Sequence, residues 1–284
     1  MRNIIKMKKD FMKYISKGKN EMMGKNNKLI TVITVTKGRK KLLERAIKTV
    51  KNQTIASEIH HFIYIDDCME TLDFLEKNYS NDNNISWYFY KRKEDDVSGP
   101  SLLARLRNDA VRKSCGEWLA YLDDDNEFEP EHIQKLYEFA VKNEYIAVHS
   151  NVQVYNRDNT PYLFNENIWP WARPEKAKDK YNFMLEMGLI EKNSNIRKYQ
   201  YGIVIDTNVW LVKRGVWEAC AISDNFSDDD WDNNLAEDDK LMMSMLFNNI
   251  PVHSNGEATV VYYLGGYSNE FTGKNEGTIV WERV

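Results

Sequence analysis

The run Glu117-Trp118-Leu119-Ala120-Tyr121-Leu122-Asp123-Asp124-Asp125-Asn126 constrains this chain more than any other stretch. An apolar segment of strand length stops at three consecutive carboxylates, and a helix start follows at Pro130. A strand that ends this way carries its acids to the carboxyl edge of a sheet, where open α/β sheets bind their ligands. Adjacent carboxylates repel one another, so the cluster costs stability unless a cation compensates it. Oxygen-only ligands suit Mg²⁺ or Mn²⁺, held by one or two carboxylates plus the phosphates of a substrate. A solvated acidic turn after an edge strand is the alternative reading of the same residues.

The flanking sequence alternates strand and helix. Residues 29–36 are rich in β-branched side chains and read as a buried strand. After the break at Lys37-Gly38-Arg39, the residues Leu42, Leu43, Ala46, Ile47 and Val50 form one helical face. A second strand over 59–65 also ends in acids, Asp66-Asp67, and a helix near 70–78 leads to a third strand over 85–90. Leu102, Leu103, Leu106, Ala110 and Val111 mark a helix over 101–113, followed by the strand 118–122 and a helix opening at Pro130. This alternation predicts a parallel sheet with right-handed crossovers.

Beyond about residue 145 the pattern loosens. Strands are expected over 145–155, 201–205 and 259–264, and a charged helix over 175–192. The acidic stretch 223–234 reads as a mobile loop, and 237–248 as a helix burying Leu241, Met242, Met245 and Leu246. With no internal repeat and no clear linker, one domain is expected: a basic leader over 1–28, a first half over 29–150 and a second half over 151–284.

A net charge of −4 over 284 residues argues against nucleic acid as a bulk electrostatic partner. Cys68, Cys115 and Cys220 form no CxxC and read as reduced cysteines. No apolar run approaches the ~18 residues of a membrane span, so a cytoplasmic protein is expected. Residues 1–28 carry nine Lys/Arg against Asp10 and Glu21, with Ile4, Met7, Phe11 and Ile15 at helical spacing. This leader is either unstructured or a helix lying on the inner face of an anionic membrane.

A third acidic group, Glu237-Asp238-Asp239, opens a helix. Acids in a first turn are favoured by the helix dipole, which is reason enough for their presence. They could also supply a general base aimed at an acceptor hydroxyl. Combined with a cation-binding strand end, such a base suits transfer from a diphosphate to a nucleophile.

In order and spacing, these motifs resemble a GT-A glycosyltransferase of the inverting family 2. The opening VITVTKGRKKLLERAIKTVKNQT is similar to that family's first strand, Thr-x-x-Arg turn and helix. YIDDC resembles its second-strand acids, GPSLLARLRNDAVRKSCGEWLAYLDDDNEFEP its Arg-Asn helix and Asp-x-Asp block, and AEDDKLMMSML its Glu-Asp base motif. The resemblance implies a mostly parallel, Rossmann-like central sheet flanked by helices, with a C-terminal acceptor-binding region. It implies a donor that is a nucleoside-diphosphate sugar, UDP-linked, with Mn²⁺ or Mg²⁺, and a hydroxyl of a glycan or lipid-linked acceptor. Thr36, Arg39, Asp66 and Arg107 would line the nucleotide pocket, with Asp123 and Asp124 assisting and Asp67 a weaker candidate. Asp125 and Asp123 would hold the metal. Asp238 would be the base, with Glu237 beside it and Asp239 the other neighbour.

The departures fall mainly at the nucleobase pocket: Val35 and Gly38 replace the usual Pro and Asn, and Cys68-Met69 the usual Gly-Ser. Trp281-Glu282-Arg283 does not reproduce the Gln-x-x-Arg-Trp of processive synthases, so one sugar per encounter is expected. His60, His61 and His132 read as structural, His253 as a candidate metal ligand, and Trp169, Trp171 and Arg173 as candidate acceptor contacts. Two other readings fit the acids: a sugar-nucleotide nucleotidyltransferase, or a degenerate glycosyltransferase that only binds carbohydrate. The first lacks its glycine-rich opening, since Thr36-Lys37-Gly38-Arg39 has one glycine.

Overall fold

The computed structural model describes residues 28–266, apart from 97, 166–167, 173, 204 and 233–234. The basic leader up to residue 27, Arg173 and the C-terminal Trp281-Glu282-Arg283 lie outside the described residues.

Strand β1 (Ile30–Thr36) is buried along almost its whole length. Its β-branched side chains favour extended backbone and fill both sides of a central strand. Helix α1 (Lys40–Lys51) turns Leu43, Ala46, Ile47 and Val50 inward, at the spacing of one helical face. Then follow β2 (Ile59–Asp66), α2 (Met69–Tyr79), β3 (Ile85–Tyr90), α3 (Pro100–Lys113), β4 (Trp118–Tyr121), β5 (Glu127–Phe128), α4 (His132–Lys142) and β6 (Ala147–Tyr155). The second half holds α5 (Pro174–Glu186), β7 (Ile196–Arg197), β8 (Trp210–Lys213), α6 (Arg214–Ala219), α7 (Asp228–Asp232), α8 (Glu237–Phe247) and β9 (His253–Tyr263).

All these strands join one sheet in the order β3-β2-β1-β4-β8-β6-β9-β5, with β7 paired on β6. β1 to β4 are parallel, as the alternation predicts. β8 runs antiparallel to both β4 and β6, while β6 and β9 are again parallel. The sheet is therefore mixed and mostly parallel, in a single α/β domain. The carboxyl ends of β1, β2, β4 and β9 share one edge, and reversed β8 brings to that edge the residues that precede it. Leu43, Ile47, Ile63, Ile65, Leu75 and Ile85 form a small core under α1 and α2, and a larger core runs through the rest of the sheet.

The second half departs from expectation in three places. The described residues of 201–205 form no strand, only an isolated bridge between Tyr201 and Ile203. The strand is instead β8, because Asp206 caps a short 3₁₀ turn by accepting from the Asn208 N–H at 2.8 Å, and the apolar run after it enters the sheet. The helix expected to reach residue 192 stops at Glu186, where Gly188 adopts φ 68°, a left-handed conformation that suits glycine. The acidic stretch expected to be a loop contains α7.

The histidines are structural. The His61 ring lies 2.9 Å from the Thr34 hydroxyl, and His132 lies 2.7 Å from that of Thr259. Burial lowers the pKa of each to about 3, so both are neutral. No helix among the described residues is long and apolar enough to cross a membrane.

Candidate active site

Past the end of β4 the chain turns at Asp124-Asp125, closed by the Asn126 N–H donating to the Asp123 carbonyl at 3.2 Å; Asp123 and Asp125 line a cleft while Asp124 is buried beneath it. Asp124 is fully buried. The Thr36 hydroxyl donates to it at 2.5 Å, and Arg39 donates through Nε at 3.2 Å. Arg39 also donates through Nη1 to Asp125 at 2.7 Å. Burial pushes the Asp124 carboxyl up to about 7 against the pull of Arg39, and Asp125 is raised for the same reason. The cation that compensates these two acids is thus a guanidinium. Asp124, expected to contact the nucleotide, supports Thr36 and Arg39 from below.

Arg107 compensates the third acid. It projects from α3, is 2% exposed, and donates to Asp123 at 2.7 Å, to Glu237 at 2.6 Å and to Asp238 at 3.4 Å. Reversed β8 adds two residues that sequence reasoning missed. Asn208 accepts from the Asp123 backbone N–H at 2.6 Å and donates to its carboxylate at 2.8 Å and to Asp206 at 2.7 Å. Asp206 itself lines the cleft. The signal was the Asp-x-Asn immediately before the apolar run 209–212, which reads as a capped turn delivering polar groups to a strand.

The first turn of α8 separates its three acids by role. Asp239 accepts from the Ala236 backbone N–H at 2.8 Å, a capping contact. Glu237 is bound to Arg107, and Asp238 faces the cleft. Burial, followed by the charges of Glu237 and Asp206, raises the Asp238 carboxyl well above the ordinary range, against Arg107. Burial raises Asp206 and Glu237 as well.

At the far end of the cleft, Asp66 closes β2 and is held by Arg92, whose Nε donates to it at 2.7 Å. Arg92 was not foreseen, because it reaches Asp66 from beyond the neighbouring strand β3. Asp67 points outward to Lys91 at 2.9 Å and does not line the cleft. Gly99 adopts φ 146° and ψ −176°, backbone that is essentially glycine's alone, and starts α3 at the cleft wall. The cleft holds about 280 Å³. Thr36, Arg39, Asp66 and Arg92 line one end, Leu102, Leu103 and Leu106 the side, and Asp123, Asp206, Glu237 and Asp238 the other end.

The expected metal ligands have the right donor chemistry. Asp123 and Asp125 present carboxylate oxygens to the cleft, which fits a hard divalent cation completing its shell with substrate phosphates. Among the described residues no three His, Cys, Asp or Glu side chains are grouped to hold an ion by themselves. His253 sits at the opposite edge of the sheet, at the start of β9, with its ring stacked 3.6 Å from that of Tyr145. It is not placed to join Asp125. Trp169 packs on Phe164, and Trp171 donates to the hydroxyl of Tyr262, a cleft residue, at 3.3 Å.

Residues 31–202, more than half of the chain, match the family model described as glycosyl transferase family 2. The chain belongs to this family. It is an enzyme of the glycosyltransferase class. A curated relative, the putative colanic acid biosynthesis glycosyl transferase WcaA of Escherichia coli (strain K12), is 27% identical over 199 residues, covering 57% of this chain and 67% of that protein. Among solved structures, S. aureus TarS 1-349 superposes with a TM-score of 0.57 at 16% identity, over 83% of this chain and 60% of that one. The same TarS fragment in complex with UDP-GlcNAc gives 0.57 over 87% and 62%. The glycosyltransferase chain thus spans about 60% of the TarS fragment, and the likeness establishes a shared GT-A fold.

Proposed function

We propose that this glycosyltransferase moves one sugar, with inversion, from a UDP-linked donor to a hydroxyl of a glycan or lipid-linked acceptor. The observation that carries the reading is a single cleft with guanidinium groups at one end and a raised, buried carboxylate at the other. Residues 29–150 supply the donor end: Thr36, Arg39, Asp66 and Arg92 hold the nucleotide, and the guanidiniums offset the charge of its phosphates. Residues 151–284 supply Asp206 and Asp238 at the acceptor end. The choice of uridine draws support from the TarS fragment, which has been solved with UDP and with UDP-GlcNAc.

Asp238 accepts the proton of the acceptor hydroxyl as that oxygen attacks the anomeric carbon. The bond from the anomeric carbon to the diphosphate breaks, and the nucleoside diphosphate leaves with the electron pair. Arg107, fixed by Asp123 and Glu237, keeps the base helix in register with the end of β4. A Mn²⁺ or Mg²⁺ ion held by Asp125 and Asp123 would supply neutralisation of the leaving diphosphate. Placement at the cytoplasmic face of a membrane, through the nine basic residues of 1–28, is part of the same proposal. Unchanged liposome binding after deletion of residues 1–28 would remove that part.

The deciding experiment incubates the purified protein with Mn²⁺ and a panel of UDP-, GDP- and dTDP-sugars and detects released nucleotide. Slow hydrolysis of a UDP-sugar, lost in Asp125→Ala, is the expected result. Hydrolysis that is indifferent to both Mn²⁺ and Asp125→Ala would overturn the metal site, and release from a GDP-sugar instead would overturn the choice of base.

A further inference from the structure

Strand β7 carries a second buried arginine into a cage of aromatic rings beside the acceptor end. The guanidinium carbon of Arg197 lies 4.9 Å from the ring centre of Trp169, 4.4 Å from Trp171 and 4.6 Å from Tyr199. Rings at these distances cover the faces of a guanidinium but leave its in-plane N–H donors unsatisfied. Arg197 is only 6% exposed, yet its side chain forms no hydrogen bond and no ion pair among the described residues. Its nitrogens are not sealed off, unlike Nε of Arg107. Beside it the Tyr199 hydroxyl is buried without a hydrogen-bond partner.

Arg214 shows how this chain uses an arginine for structure alone. It donates to the carbonyls of Gly116 at 2.8 Å and Val111 at 2.7 Å, and to the Ser114 hydroxyl at 3.2 Å. Buried polar groups are almost always satisfied in this way, and an unpartnered buried charge is costly. The unused guanidinium donors of Arg197, in a cage that adjoins the cleft through the bond from Trp171 to Tyr262, point to an absent partner with oxygen acceptors. The charge of Arg197 is felt by the carboxylates of Asp206 and Asp239, which sets the cage toward the end of the cleft away from Asp66 and Arg92.

We infer that Arg197 forms a subsite for an anionic group, a carboxylate or a phosphate, carried by the acceptor. The in-plane fork of a guanidinium matches either group with two parallel hydrogen bonds. The inference rests on the glycosyl-transfer reading of the cleft, and it narrows the acceptor to an acidic or phosphorylated glycan.

The test titrates glucose, glucuronate and glucose 6-phosphate, which differ only at C6, into the full chain loaded with UDP and Mn²⁺, using calorimetry. A preference of about tenfold or more for at least one anionic sugar is expected, at least one bidentate contact's worth. Arg197→Gln should abolish the preference while leaving UDP affinity unchanged. Equal binding of all three sugars by the native protein, or a preference that survives Arg197→Gln, overturns the subsite. The two anionic sugars separate a carboxylate from a phosphate as the recognised group. Should Arg197→Gln fail to fold, Arg197→Lys keeps the charge and loses the fork; a reduced preference is then expected, and an unchanged one overturns the proposal. A native protein that binds no UDP overturns the proposed uridine donor, independently of the sugar titrations.

Discussion

The guanidinium of Arg107 donates at 2.6 Å to Glu237, a residue 130 positions further along the chain. With its bond to Asp123, this contact ties the end of β4 to the first turn of α8, which meet at one end of the cleft. The pull of Asp123, Glu237 and Asp238 overcomes burial and raises the Arg107 pKa, so it stays charged.

Removing that charge should leave three carboxylates without their common partner. Arg107→Met is expected to cost about 3–5 kcal/mol, the scale for breaking a buried ion pair on one side. Urea denaturation measures it. Arg107→Lys should restore part of the stability but not the transfer rate, because an ammonium cannot reach Asp123 and Glu237 with a rigid fork. A Lys variant with native activity would show that only the charge matters.

Stability should depend on pH through Asp124. In the unfolded chain its carboxyl ionises near the ordinary value of about 3.9. In the folded protein it is pushed up to about 7, by burial first, and then by its neighbours Asp125 and Asp123 against Arg39 and Thr36. Between those values the folded state holds more of the proton than the unfolded state. The stabilising contribution is therefore complete below the unfolded value and lost as pH rises through the folded one, at up to about 1.4 kcal/mol per pH unit. Urea midpoints compared across this window should fall as pH rises, and Asp124→Asn should flatten the slope. An equal slope in the variant would assign the dependence to other groups.

Asn208 holds Asp123 by both its backbone N–H and its carboxylate, at 2.6 and 2.8 Å. Asn208→Ala is expected to cost about 1–3 kcal/mol, since it leaves the partners of a buried amide unsatisfied. Its larger effect should be on transfer, because Asp123 would then be held by Arg107 alone. If Asp123 does contribute to a metal site, the variant should need more Mn²⁺ to reach half-maximal activity. An unchanged Mn²⁺ requirement would confine Asn208 to a structural role.

The difference between what was legible in the sequence and what was not lies mostly in strand direction. β2 and β4 end where their acids begin, and helices separate the four parallel strands β1 to β4, so Thr36, Asp66 and Asp123 fall on one edge by pattern alone. β8 breaks that logic. As an antiparallel strand it contributes what precedes it, and no periodicity marks Asp206 and Asn208 as neighbours of Asp123. Side-chain direction within the acidic run was also hidden: only the packing of Thr36 and Arg39 against Asp124 shows which of the three carboxylates turns inward. Arg92 and Arg197 were missed because each acts across strands, Arg92 on the end of β2 and Arg197 among rings from distant segments.

Asp238 offers the last test, of the proposed base. A base must be ionised to accept a proton, and burial, Glu237 and Asp206 hold this carboxyl well above its ordinary range. Transfer should therefore be weak at acidic pH and climb as pH rises through the raised value. Asp238→Asn is expected to lower transfer by about 10²–10⁴-fold, the usual contribution of general base catalysis, while UDP binding persists. Asp206→Asn removes one of the charges that raise Asp238, so the acidic limb of the pH–rate profile should move to lower pH. Both shifts are read from transfer rates measured at saturating donor, with UDP affinity as the control. A native transfer rate in Asp238→Asn would move the role of base to Glu237, whose carboxylate would have to leave Arg107 to perform it.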